Sequence, residues 1–287
     1  MLSYQHVYHA GNHADILKHY VLTFVLSSLN KKDKPYTFFD THSGSGLYDL
    51  TDSRSLKTSE AEIGIMRLIK AGEAESNAVP AEMNDYLNFV KQYTDKGFYP
   101  GSPEIERSFM RQNDVLVLSE LHPQEIENLR ENMAHNGEAG AHNLGGDKHY
   151  PAIQIHKRDG WEMINAMTPP ATKRGGVLID PSYEESQDYI DAAESIIKVH
   201  KKWSNGIILL WYPLLEHSEK EIEKMLGSIT QAAHSVNENT EIVNLQLCVN
   251  AKESYRLYGS GMLVINAPWK LKEEGEKVVD FLTKCFQ

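Results

Sequence analysis

The chain has 287 residues, 41% of them hydrophobic and 24% charged, which is the size and make-up of one α/β domain with room for an insertion. Its formal net charge of -11 argues against a uniformly basic nucleic-acid binder, although a local cationic surface can coexist with an acidic remainder. The only cysteines, Cys248 and Cys285, lack C-x-x-C spacing, and the longest apolar run, 21–29, is too short for a bilayer, so a disulfide framework, a zinc-thiolate centre and a membrane span are not expected.

In chain order, Asn12 is placed to cap a helix through Ile16, Leu17, Tyr20, Val21 and Phe24. A β-like run follows at 36–40. Residues 55–97 break the alternation and read as two helices inserted after this first strand. Ile63, Met66 and Leu68 give the first its apolar side; Met83, Tyr86, Leu87 and Val90 do so for the second. Strands are expected at 115–119, 153–156, 177–180 and 207–211. Between them lie a helix opened by Pro123, with Ile126, Leu129 and Met133 on one face, and another over 184–202, with Tyr189, Ile190, Ala193, Ile196 and Ile197 inward. Runs at 241–249 and 262–266, joined by a loop containing Gly259 and Gly261, read as an antiparallel pair at the sheet edge. A last helix runs through Val278, Val279 and Leu282. Most of the runs are apolar throughout, as in strands buried on both faces. Together they predict a single α/β domain over 1–287: a doubly wound, mostly parallel, seven-stranded Rossmann-like sheet with an antiparallel edge and a small helical insertion.

Chemistry collects at the strand ends. The first strand leads into Asp40-Thr41-His42-Ser43-Gly44-Ser45-Gly46, an acid followed by a Gly-x-Gly turn that lets backbone approach a ligand. A dinucleotide fingerprint needs a third glycine where Asp49 stands, so a cofactor without a pyrophosphate fits better. The second strand ends at Glu120, whose carboxylate could hold ribose hydroxyls. The third leads to Asp159-Gly160, where the acid could accept a hydrogen bond from an adenine amine.

The fourth strand ends in Asp180-Pro181-Ser182-Tyr183. An exocyclic adenine amine is a poor nucleophile because its lone pair is delocalised into the ring. Asp180 and the Pro181 carbonyl can each accept one amine hydrogen and free that lone pair, while Tyr183 can stack on an extruded base. A methyl donor held in line with the nitrogen would complete the reaction.

The tetrapeptide resembles the Asp/Asn-Pro-Pro-Tyr motif of adenine amino-methyltransferases, with Ser182 in place of the second proline. The opening Tyr4-Gln5-His6-Val7-Tyr8-His9-Ala10-Gly11-Asn12-His13-Ala14-Asp15-Ile16-Leu17-Lys18-His19 is similar to that of the bacterial 23S ribosomal RNA adenine-N6 methyltransferases of the RlmJ family. So are Asp40-Thr41-His42, Tyr99-Pro100-Gly101-Ser102-Pro103, Trp211-Tyr212-Pro213 and Gly259 to Trp269. The resemblance implies a class I methyltransferase using S-adenosyl-L-methionine and releasing S-adenosyl-L-homocysteine, with no metal. It implies cofactor contacts from His19, His42, Ser102, Glu120, Asp159, Gly160 and Asp180, catalysis by Asp180, and an RNA side formed by Tyr4, His6 and Lys18. The implied substrate is an adenosine in domain V of 23S RNA before the ribosome is complete, and a cytoplasmic monomer with no membrane partner is expected.

His6, His9, His13 and His19 crowd the N-terminus, but Gly11 and Asn12 interrupt any shared helix face and no other ligands complete a metal site. Basic residues gather at Lys31, Lys32 and Lys34, at Arg54 and Lys57, at Lys157 and Arg158, and at Lys198, Lys201 and Lys202; they would form a phosphate footprint only if several share one surface. Three alternatives stay open: a guanine-N2 or glutamine-N5 methyltransferase, a nicotinamide-dependent oxidoreductase, and a methyltransferase-fold RNA-binding protein without turnover.

Overall fold

The computed structural model describes residues 5–73, 79–134, 150–252 and 257–287. After a short 3-10 helix at His6–Tyr8, the Asn12 side chain accepts hydrogen bonds from Ala14 N and Asp15 N and starts α1 (His13–Asn30) where the sequence places it. The chain continues through β1 (Thr37–Asp40), β2 (Leu47–Asp49), α2 (Ser53–Thr58), α3 (Glu60–Ile63), α4 (Ile65–Glu73), α5 (Asn84–Thr94), β3 (Phe98–Pro100) and α6 (Ser102–Phe109). Next come β4 (Val115–Ser119), α7 (Pro123–Met133), β5 (Ala152–His156), α8 (Gly160–Met167), β6 (Gly175–Ile179) and α9 (Ser186–Lys202). The last elements are β7 (Ile207–Leu214), α10 (Glu219–Val236), β8 (Ile242–Cys248), β9 (Gly259–Ile265) and α11 (Leu271–Phe286).

Among the described residues, seven strands form the main sheet in the order β5-β4-β1-β6-β7-β9-β8. The first five are parallel, and β9 runs antiparallel to both β7 and β8. The second strand of the expected edge pair is thus the inner one. Gly259 and Gly261, expected in the connecting loop, belong to β9 itself, where they pair with Leu214 and Tyr212. A Cβ on Gly261 would meet the Tyr212 ring at 2.1 Å, so glycine there serves close packing rather than a turn.

Strand side chains alternate between two cores. Phe38 packs with α1, α6, α7 and α11, and Phe39 packs with α8, α9 and α10. Two expected core residues are exposed instead: Ile63 and Ile190, at 64% and 46%. Ile63 closes the one-turn α3 just before the bend at Gly64, and Ile190 follows Tyr189, which takes the buried position on that turn of α9.

The segment after β1 contains α2 to α5 rather than two helices, and its Gly/Ala/Ser/Asn-rich connection falls mostly at 74–78, outside the described residues. β2 and β3 pair antiparallel at its base, Leu47 opposite Pro100 and Asp49 opposite Phe98. No helix among the described residues is long and apolar enough to cross a membrane.

Candidate active site

β1 has β4 and β5 on one side and β6 and β7 on the other, so the winding reverses at β1 and β6. In such sheets a crevice opens beyond the carboxyl ends of the strands at the reversal. A cavity of about 840 Å³, counting its open mouth, lies there. That is the size of a small-molecule site, typically ~300–1,000 Å³.

Of the residues predicted to hold a cofactor, His19, His42, Gly44, Ser102, Glu120 and Asp180 line this cavity. Gly44 adopts φ +59°, and a Cβ there would meet the Tyr48 hydroxyl at 2.4 Å, so only glycine allows the turn to fold over it. Gly44 N donates to Glu120 Oε2 at 2.8 Å and His122 N to Oε1 at 2.7 Å, fixing the carboxylate at the rim. Burial nevertheless pushes the Glu120 carboxyl above its ordinary value. Ser102 Oγ donates to Asp40 Oδ2 at 2.7 Å; Asp40 is fully buried, and desolvation raises its carboxyl to about 7.

Two histidines on the wall are held neutral by burial, His19 lowered to about 3 and His42 to about 4. His19 Nδ1 lies 2.9 Å from the Tyr99 hydroxyl, while its buried Nε2 has no hydrogen-bond partner. His42 Nδ1 lies 2.7 Å from Thr41 Oγ1, and its ring meets Trp161 edge-on at 5.1 Å.

Asp159 and Gly160 are not on the cavity wall. Asp159 Oδ1 caps α8 by accepting from Glu162 N at 2.9 Å, and Gly160 packs against the Thr41 backbone. Three residues separate the end of β5 from α8, and Asp159 is the last of them, at the helix cap.

Asp180 directly follows β6 and lies at the meeting of two cavities. The second, about 650 Å³ with its mouth, shares His6, Lys18, Asp180, Ser182 and Trp211 with the first and adds Tyr183 and Leu257. Pro181 lines the first. Tyr183 sits at φ +51°, buried, its hydroxyl donating to the Trp211 carbonyl at 3.0 Å and its ring 4.6 Å from that of Tyr189. One face of the ring is therefore already covered.

Lys18, expected on the RNA side, lines both cavities but is buried, with Nζ 2.6 Å from Asp180 Oδ2 and 2.8 Å from Asp15 Oδ1. Burial opposes its charge, but the two carboxylates hold its proton above the ordinary lysine range. Asp15 in turn accepts from the His6 ring at 2.9 Å. Sequence reasoning gave Asp15 no role, although Asp15, Lys18 and His19 at i, i+3 and i+4 occupy one face of α1, a spacing that could have flagged it. Tyr4 lies outside the described residues.

None of the basic-cluster residues lines either cavity at this opening. Lys32 and Lys34 flank the start of β1, where their carbonyls accept from Arg111, and Lys198, Lys201 and Lys202 end α9 just before β7, so both groups sit at the opposite end of the sheet. Arg54 is paired with Asp52 and Arg158 with Glu162. Among the described residues no group of three or more His, Cys, Asp or Glu could hold a metal ion.

A pyrophosphate-binding turn would deliver the chain into a helix N-terminus, but after Gly46 it enters β2, with Asp49 exposed in that strand. Strand order, the inward antiparallel β9 and the crevice at β1 and β6 together define the Rossmann-like fold of class I methyltransferases. Within that class, the model for the family described as ribosomal RNA large subunit methyltransferase D, RlmJ, matches residues 33–287, and the chain belongs to this family. It is 36% identical to ribosomal RNA large subunit methyltransferase J of Escherichia coli, over 98% of this chain and 93% of that protein. To the protein of the same name from Haemophilus influenzae it is 35% identical, over 99% and 94%. A crystal structure of a Legionella pneumophila protein superposes with a TM-score of 0.81 at 31% identity, covering 97% of this chain and 94% of that one.

Proposed function

We propose that the protein transfers a methyl group from S-adenosyl-L-methionine to the N6 amine of an adenine in 23S ribosomal RNA. The observation that carries this reading is the position of Asp180 on the shared wall of two cavities, one suited to a cofactor and the other to a base. The first cavity fits the cofactor chemically. A buried His19 Nε2 without a partner, a glycine turn at Gly44 and a carboxylate at Glu120 supply a polar contact, a close backbone approach and an acceptor for ribose hydroxyls. His42, Ser102 and Asp180 complete its wall, and Gly160 backs it. Asp159 keeps its second carboxylate oxygen for the cofactor's adenine amine after capping α8 with the first. S-adenosyl-L-methionine, when bound, supplies an electrophilic methyl group on a sulfonium sulfur.

Asp180 Oδ1 and the Pro181 carbonyl accept the two amine hydrogens of the target base, and Lys18 fixes the other carboxylate oxygen so that Oδ1 keeps one orientation. The carboxylate accepts the amine hydrogen bond while the lone pair is freed for the methyl group. Trp211 and Tyr183 border the second cavity and offer aromatic surfaces for an extruded base. Tyr4 and His6 take the RNA side, His6 from a partly exposed position. The substrate we assign is 23S RNA free of ribosomal proteins, acted on in the cytoplasm by a monomer.

Purified protein given labelled S-adenosyl-L-methionine and protein-free 23S RNA should yield labelled N6-methyladenosine in the nucleoside digest. Label confined to guanine, or to a protein substrate, refutes the reading.

A further inference from the structure

The Lys18 contact raises a chemical difficulty. A carboxylate matched one-to-one with an ammonium is largely neutralised, and a neutralised Asp180 would be a poor acceptor for an amine hydrogen. The pairing in this site is not one-to-one. Lys18 Nζ lies between two carboxylates, 2.8 Å from Asp15 Oδ1 and 2.6 Å from Asp180 Oδ2. Two anions share one cation, and the trio keeps a net charge of −1.

Asp15 is built to hold that arrangement. It is 1% exposed, in the first turn of α1, and its Oδ2 accepts from Gly11 N and from the His6 ring nitrogen, each at 2.9 Å. With Oδ2 held twice over, the carboxylate cannot rotate, and Oδ1 stays on Lys18. On the Lys18 side, His19 Nε2 is 3.9 Å from Oδ1 and its ring is neutral, so it adds no second cation beside Lys18. Asp180 has the more exposed side chain of the two carboxylates, 15% against 1%, so the uncompensated charge lies beside the opening.

We propose that Asp15 is a positioning residue for methyl transfer: by drawing half of the Lys18 ammonium to itself, it leaves Asp180 anionic enough to grip the target amine. This rests on Asp180 being the amine acceptor. It makes the opening turn of α1 part of the electrostatics of the reaction and not only a support for the N-terminal segment.

The charge argument predicts non-additivity that a purely structural role does not. Asp15→Asn leaves Lys18 to Asp180 alone, and kcat should fall roughly 10- to 100-fold. KM for RNA and the calorimetric Kd for S-adenosyl-L-homocysteine should stay within about threefold of wild type. Asp15→Ala, which puts no amide donor opposite Gly11 N and His6, should give the same kcat loss and covers the case in which the asparagine variant does not fold. In a Lys18→Met background the ammonium is gone, so adding Asp15→Asn or Asp15→Ala should change kcat by less than about threefold.

Wild-type turnover on the same RNA tests the reaction itself, and the ratios among variants test Asp15. The proposal is overturned if the Asp15 variants keep wild-type kcat, if their loss is as large in the Lys18→Met background as in wild type, or if it lies in homocysteine-cofactor affinity.

Discussion

Replacing Asp180 with alanine separates catalysis from folding, because the site is wired so that the two losses differ in scale. Removing one partner of a buried ion pair usually costs about 3–5 kcal/mol, since a buried charge is left alone. Lys18 is not left alone here, as Asp15 remains 2.8 Å from its ammonium. What disappears is one charge-assisted hydrogen bond, ordinarily worth about 1.5–3 kcal/mol, from a side chain that keeps some contact with water. Part of that loss is offset by relief of the repulsion between Asp180 and buried Asp40. A net cost of about 1–2 kcal/mol corresponds to a thermal midpoint lower by roughly 3–6 °C. On the proposed mechanism the same substitution removes the amine's carboxylate acceptor, and groups of this kind contribute about 10²–10⁴-fold to rate. Differential scanning fluorimetry without cofactor and methyl transfer to protein-free 23S RNA would read the two effects in parallel. A variant within threefold of wild-type kcat, or one whose midpoint drops by more than about 15 °C, refutes the reasoning: the first removes Asp180 from the chemistry and the second makes it a structural residue.

Other outcomes follow from the same geometry. Desolvation raises the Asp40 carboxyl to about 7, so its contribution to stability is complete below its unfolded value near 3.8 and is lost as pH climbs through 7. Asp40→Asn, whose amide can accept from His42 N and donate to Ser102 Oγ, should therefore gain in thermal midpoint over wild type between pH 5 and 8; a pH-independent gap counts against this. The His9 ring accepts no desolvation penalty large enough to outweigh its hydrogen bond to Glu60, which raises its value, so the stabilising contact is full below pH ~6.5 and fades as pH rises through the raised value. The midpoint difference between wild type and His9→Gln should accordingly shrink from pH 6 to pH 8.5. Gly160→Ala would bring a Cβ within 2.2 Å of the Thr41 carbonyl oxygen, two pieces of backbone that cannot both stay in place. It should cost about 1–3 kcal/mol in denaturant titration and weaken S-adenosyl-L-homocysteine binding measured by calorimetry.

Much of this site could be read from the chain because strand ends and chemistry coincide in a doubly wound sheet. The acids after β4 and β6 fall where a short apolar run stops, so Glu120 and Asp180 could be placed on the crevice from spacing alone. Asp159 shows the limit of that logic. It also follows a strand, but an aspartate immediately before a helix is equally a cap, and which demand takes which carboxylate oxygen depends on where α8 meets Thr41. The burial of Lys18 could not be read from the chain for another reason: only the approach of β6, more than 160 positions later, brings Asp180 onto its ammonium. The β9 glycines were misjudged because a glycine required by a neighbouring ring and a glycine required by a turn look the same in one sequence. Strand identity survived that error, since Met262 to Ile265 are apolar whichever way the segment begins.

The excursion between β2 and β3 leaves and rejoins the chain at one place, so in principle it could be shortened without moving Ser102. Its helices, however, reach back to the leading segment. Ile65 N donates to the Gly11 carbonyl at 2.8 Å, Thr58 Oγ1 to the Tyr8 carbonyl at 2.5 Å, and Glu60 accepts from Asn12 and contacts the His9 ring. A chain trimmed from Asp49 straight to Phe98 would keep the walls of the first cavity but lose these contacts to residues 8–12. Grafts and deletions in that excursion should thus alter how RNA is received long before they alter how the methyl donor is bound.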